Sequence, residues 1–157
     1  MAGGRKLGVT AALLLAAASS AAAQENEPPW LLSVAESVDC LRGVDANPLF
    51  AAVKVRMPSA ESMGLSHIDD RAKPNGREQE ILVRYAEAVA TCVPLFYEDE
   101  QDPTGRAAEE LLARLWREQT ALLRKLAEGE LTWGRYNRDA MQIDRNLRRE
   151  LAALLPG

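Results

Sequence analysis

Between Thr104 and Leu155 apolar residues recur at helical spacing, with one interruption at Glu128-Gly129-Glu130-Leu131-Thr132-Trp133. Before it, Leu111, Leu112, Leu115, Trp116, Leu122, Leu123 and Leu126 share one broad face. After it, Tyr136, Ala140, Ile143, Leu147, Leu151 and Leu154 do the same. Gly129 is the expected stop and Thr132 the expected cap of the next helix. A connection of about four residues leaves two long helices no arrangement but an antiparallel hairpin. Each helix has a single apolar stripe, so the hairpin must bury it against further elements.

The rest of the chain supplies them. Leu31, Val34, Val38 and Leu41 are spaced as one helix face, with Gly43 as the expected stop. Asn47-Pro48 reads as an N-cap followed by a first-turn proline. Residues 49–56 fit a helix or, from the alternation of Ala51, Val53, Val55 and Met57, a short strand; helix is preferred because no second strand exists to pair with it. Residues 58–75 are irregular. Asn75 and Glu78 have capping-box spacing. The helix they open carries Ile81, Tyr85, Ala88, Val89, Cys92 and Phe96 on one stripe, and Pro94 predicts a kink or an end near Cys92. Asp102-Pro103, after the acidic run 98–102, restarts the chain as cap and first helical residue. The expected fold is all-α: a four-helix-type bundle with a C-terminal antiparallel αα-hairpin, stapled by one disulfide.

The staple is read from compartment. Residues 1–23 have the pattern of a cleaved signal peptide: Arg5 and Lys6, an apolar run from Leu7 to Ala18, then Ala21-Ala22-Ala23 before Gln24. Residues 24–157 are then one helical domain, periplasmic or secreted. Cys40 and Cys92 are the only cysteines. An even count in an exported chain favours a disulfide over free thiols or a metal site. Neither lies in C-x-x-C or C-x-x-C-H, which removes the thioredoxin-like and c-type haem readings.

Charge narrows the partners. Removing Arg5 and Lys6 from 19 basic residues leaves 17 against 23 acidic ones. Nucleic-acid binding and docking on anionic lipid both need a net basic surface, so neither is expected, and no mature stretch is apolar enough to span a bilayer. The sequence holds no G-x-S-x-G, no glycine-rich phosphate loop and no H-E-x-x-H, and the reading leans away from an enzyme. Met63 and His67, the single histidine, would share a face if helical and are the weak metal or haem candidates, lacking further ligands. Asp69-Asp70 and the 98–102 run do not match a calcium loop and read as caps and solvated charge. No cofactor is indicated.

Trp133, Tyr136 and Asn137 cluster at the start of the last helix and are the candidate partner surface, although aromatics at helical spacing are more often core. Trp133, beside Gly134, is expected to be the more exposed of the tryptophans. The stretch His67-Ile68-Asp69-Asp70-Arg71-Ala72-Lys73-Pro74, followed by a helix carrying Glu78, Tyr85 and Cys92, and the stretch Leu126-Ala127-Glu128-Gly129-Glu130-Leu131-Thr132-Trp133-Gly134-Arg135-Tyr136-Asn137-Arg138 together resemble uncharacterised secreted all-α proteins of proteobacteria. The resemblance covers about residues 65–150 and implies secretion and a helical bundle, with no activity attached. The expected function is a non-catalytic periplasmic protein-interaction module. The alternatives are an inhibitor or immunity-type protein, or a bundle carrying a metal, haem or small ligand. Oligomeric state is not indicated.

Overall fold

The computed structural model describes residues 29–93 and 103–154. Its helices are α1 (Pro29–Asp45), α2 (Ala51–Lys54), α3 (Leu65–Ile68), α4 (Gly76–Ala90), α5 (Pro103–Ala127) and α6 (Trp133–Leu154), and there is no strand among the described residues. Single 3-10 turns occupy Pro48–Phe50 and Ala60–Ser62. The architecture is the all-α bundle read from the sequence, with α1, α4, α5 and α6 as its long members.

Local chemistry sets the ends. At the close of α5 the Gly129 N–H bonds to the Leu126 carbonyl (3.0 Å) and the Glu130 N–H to the Lys125 carbonyl (2.9 Å). That pair of bonds needs a left-handed residue, and Gly129 has φ +71°. Thr132 Oγ1 then accepts from the Arg135 N–H at 3.2 Å and starts α6. Asn75 and Glu78 form a reciprocal capping box at 3.0 and 2.8 Å. Asn47 Oδ1 accepts from the Leu49 N–H at 3.0 Å. Residues 49–56 are helical turns, not a strand.

Packing follows the hairpin. Near its turn, Leu123, Leu126, Trp133, Tyr136 and Ala140 meet Leu82, Tyr85 and Val89 of α4, with Phe50, Val53 and Met57. Near its open end, Ala108, Leu111, Leu112 and Leu147 meet Val34 of α1. Cys40 and Cys92 are bonded, with their Cα atoms 5.5 Å apart and a sequence separation of 52. Closing a loop of that length is worth about 4 kcal/mol on the chain-entropy model. The bond ties α1 to the end of α4. A polar knot adds to it: Tyr85 donates to Asp45 Oδ1 at 2.9 Å, and Lys54 Nζ lies 2.8 Å from the same oxygen.

Some expectations change. Gly43 does not stop α1, which runs on to Asp45. A Cβ there would meet nothing within 4 Å among the described residues, and the glycine is helical and exposed rather than a C-cap. Leu82, left off the α4 stripe, is 0% exposed. The helix ends at Ala90, as the Cys92 boundary suggested. Pro94, Phe96, the 98–102 connector with Asp102, and residues 1–28 lie outside the described residues. No helix is long and apolar enough to cross a membrane among the described residues.

Candidate functional site

Residues 57–66 have few of the hydrogen bonds that a helix would supply, so their backbone must be held from elsewhere. The holder is Asn137. Its Nδ2 donates to the Arg56 carbonyl and to the His67 carbonyl, each at 3.0 Å. One amide nitrogen thus gathers both ends of the segment. This is the geometry of a compact Ω-loop, with its neck closed by a side chain. Asn137 is 1% exposed, so those bonds are shielded from competing water.

The neck is reinforced from the first turn of α6. The Trp133 N–H donates to the Ala72 carbonyl at 2.9 Å and the Gly134 N–H to the Asp70 carbonyl at 2.8 Å. These helix-start donors have no partner within α6, and the loop carbonyls satisfy them. A Cβ on Gly134 would lie 2.6 Å from the Ile68 carbonyl oxygen and 2.7 Å from that of Asp70. Only glycine permits so close a backbone approach. The Arg138 guanidinium donates to the Ile68 carbonyl.

Arg56 locks the other side. Its guanidinium stacks 4.7 Å over the Trp133 ring and pairs with Asp70 at 2.5 Å and Glu78 at 3.1 Å. Burial works against both charges of the first pair. For Asp70 the Arg56 hydrogen bond, the Ala72 N–H and the Arg56 charge outweigh it and hold the carboxyl below its ordinary value. Desolvation likewise opposes the Arg56 charge, and Asp70 and Glu78 more than compensate.

Within the loop, Met57 and Ser59 are buried and Ser59 Oγ bonds Ser62 Oγ at 3.0 Å. His67 Nδ1 accepts from the Gly64 N–H at 3.2 Å. Glu61, Ser62, Gly64, Leu65 and Ser66 face solvent, and Leu65 is 74% exposed.

The candidate partner surface of Trp133, Tyr136 and Asn137 is therefore corrected: all three side chains are buried, and Trp133 is 0% exposed. The loop and Arg56 cover the turn that the sequence left open. Two of the three hold a surface instead of forming one. Trp133 Nε1 and Asn137 Oδ1 are buried without a hydrogen-bond partner among the described residues. Met63 and His67 do not share a helix face, because Met63 precedes α3 in extended conformation and His67 Nδ1 is engaged by Gly64. No group of three or more His, Cys, Asp or Glu side chains could hold a metal ion among the described residues.

Hollows also lie elsewhere among the described residues. A cavity of about 30 Å³ sits between Tyr85, Trp116, Thr120, Leu123 and Tyr136, room for about one water. Burial, then the Asp45 charge, raises the pKa values of both Tyr85 and Tyr136, so neither phenol serves as a base near neutral pH. An open groove of about 590 Å³ runs along α5 and the end of α6 past Leu111, Leu154, Glu110 and Arg117, and the Arg114–Glu150 ion pair lies in it. Its walls carry both signs of charge.

No family model, curated protein or solved structure matches the chain.

Sequence reasoning read 58–75 as irregular but missed Arg56, the close approach at Gly134 and the closure of that stretch into a necked loop. The available signals were a long irregular stretch inside a small helical protein and a Trp-Gly-x-x-Asn start to α6.

Proposed function

We propose that this protein is an exported, non-catalytic helical module that binds another protein through the 57–66 loop. One observation carries the reading: Asn137 closes the loop neck with two buried hydrogen bonds while the loop tip stays exposed. A long connection held this tightly costs conformational entropy without adding much core. Binding residues concentrate on loops positioned by a rigid scaffold, and preorganisation lowers the entropy lost on association.

Export rests on the signal-like segment 1–23, with the Cys40–Cys92 bond in keeping with an oxidising compartment. The periplasm is the compartment proposed, and the resemblance to secreted proteobacterial proteins belongs to the same reading. The inhibitor or immunity-type alternative is a sharper form of it. A carrier of haem or another drug-sized ligand is disfavoured at the interhelical cavity, whose roughly 30 Å³ falls far short of the several hundred Å³ such a ligand fills.

The test is co-purification from periplasmic extract with the wild-type chain and with a chain whose 61–66 segment is replaced by Gly and Ser. A partner retained by the first and lost by the second supports the reading. A partner held equally by both, or none at all, refutes it.

A further inference from the structure

We propose that the outer face of α6 docks an acidic α-helix of a partner protein along the row Arg138, Gln142, Arg145 and Arg149. The row is separate from the 57–66 loop, and the proposal stands whether or not that loop binds anything.

Placement comes first. At 3.6 residues per turn these four side chains lie within about 60° of one another, and they run along the helix for roughly 16 Å. All four are exposed. The opposite face carries Tyr136, Ala140 and Leu147 into the core, so the row is the side of α6 turned to solvent.

Charge comes next. Solvated helix faces usually intersperse both signs, which neutralise each other. On α6, five arginines face three acids, and each acid is already taken. Asp139 pairs with Arg135 at 2.8 Å, Asp144 with Arg148 at 3.0 Å, and Glu150 with Arg114 of α5. Arg138, Arg145 and Arg149 are left without a carboxylate among the described residues, and these three form the row. Arg138 donates to the Ile68 carbonyl and Arg149 to Asn146 Oδ1 at 3.2 Å. Neutral acceptors hold these two side chains without cancelling their charge. Gln142 donates to the same Asn146 oxygen at 2.9 Å. Arg145 makes no hydrogen bond or ion pair among the described residues.

The surroundings select the partner. At the loop end of the row the exposed Asp69 is offset by the exposed Arg71 and Lys73, so the approach is not closed by negative charge. The row is one side chain wide, on a chain of formal net charge −4. A bilayer or a nucleic-acid duplex would bring a broad negative surface against the rest of the molecule, which a narrow anion avoids. At physiological salt charges beyond about 8 Å are screened, so the row acts on what touches it. A helix with Glu or Asp at three-four spacing has the same repeat and meets the row turn by turn. An extended strand repeats its side chains on one face about every 7 Å and falls out of step over that length. Arginine forks grip carboxylates through paired hydrogen bonds, which adds orientation to attraction.

The experiment titrates labelled, alanine-rich helical peptides into the full chain with its disulfide intact, at low and at physiological salt. One peptide carries glutamates in a row at three-four spacing. A second has the same composition with the glutamates scattered around the helix. A DNA duplex and phosphatidylglycerol vesicles are the remaining probes. The ordered peptide should bind at least about fivefold tighter than the scattered one, and more weakly as salt rises. Arg145→Gln with Arg149→Gln should cost about tenfold at low salt, and Arg84→Gln on the exposed face of α4 nothing. Arg145→Gln alone removes no internal polar contact, so its several-fold loss reads binding rather than folding, and circular dichroism of each variant checks this. Equal binding of the two peptides, no binding of the ordered one, or indifference to the double variant overturns the proposal. Tighter binding of the duplex or the vesicles, lost in the double variant, assigns the row to another anion and overturns it too. Replacing the 61–66 segment should leave peptide binding unchanged, which separates this surface from the loop.

Discussion

Asn137 on α6 donates from Nδ2 to the carbonyl oxygen of Arg56, 81 residues earlier in the chain. The same nitrogen reaches the His67 carbonyl, so a single side chain ties the last helix to both ends of a loop that has little structure of its own. Replacing it by Asp keeps the shape but turns the donor into an acceptor facing two carbonyls. At neutral pH Asn137→Asp should destabilise the fold by about 3 kcal/mol, the penalty expected for buried groups left without partners. Hydrogen exchange should show the loss first in residues 57–68 and last in α5. Uniform exchange across all helices would mean that Asn137 stabilises the body rather than the loop.

Gly134→Ala and Gly43→Ala make a matched pair. At Gly134 the new methyl meets the backbone of Ile68 and Asp70, which cannot rotate away. A cost of about 3 kcal/mol is expected, the upper range for overpacking. At Gly43 it meets nothing within 4 Å among the described residues, inside a helix. There alanine should stabilise by up to about 1 kcal/mol. Urea midpoints of the two variants should move in opposite directions.

Acid should loosen the loop neck through Asp70. Its folded pKa lies below the unfolded one, because the Arg56 hydrogen bond, the Ala72 N–H and the Arg56 charge together outweigh the burial that would raise it. Its contribution is complete above about pH 4 and is lost as the pH falls through the lowered value. Asp70→Asn should therefore be less stable than wild type at pH 7, and the gap should narrow below about pH 4. A gap independent of pH would assign Asp70 a packing role only.

Alkali should act through the tyrosines. Burial, followed by the Asp45 charge, pushes both Tyr85 and Tyr136 up; for Tyr85 the Tyr136 charge and the hydrogen bond to Asp45 add to this. Raised folded values mean that stability is intact below about pH 10 and declines as pH rises beyond it. Phenolate absorbance from these two rings should appear only together with loss of helical circular dichroism. Ionisation of either one in the intact helical state would show that its ring is open to solvent.

The disulfide is the remaining lever. Cys40→Ser with Cys92→Ser should lower stability by about 2–4 kcal/mol, measured by thermal melting. Reductant should lower the wild-type melt in the same way and leave the double variant unmoved.

The hairpin was legible because amphipathic spacing over α5 and α6 is a local property, broken once by a glycine that must take positive φ. Caps at Asn47, Asn75 and Thr132 were legible for the same reason: cap and donor lie within three residues of each other. Cys40–Cys92 was readable by elimination, since the chain has no other cysteine. Leu82 was missed because α4 buries a broader face than its clearest stripe. Trp133 was misjudged because an aromatic residue beside glycine in a turn looks exposed until something covers it.

What the sequence by itself determined is the long helices, most of their caps, their clearest apolar stripes and the one covalent link. Periodicity, capping and cysteine count encode these within a few residues, or in a choice with one partner. What only the tertiary structure decided is the loop and its anchor. Arg56, Asp70, Gly134 and Asn137 are ordinary residues locally. They acquire their roles from backbone carbonyls and side chains brought from far along the chain, and no local pattern records which buried donor will find which distant acceptor.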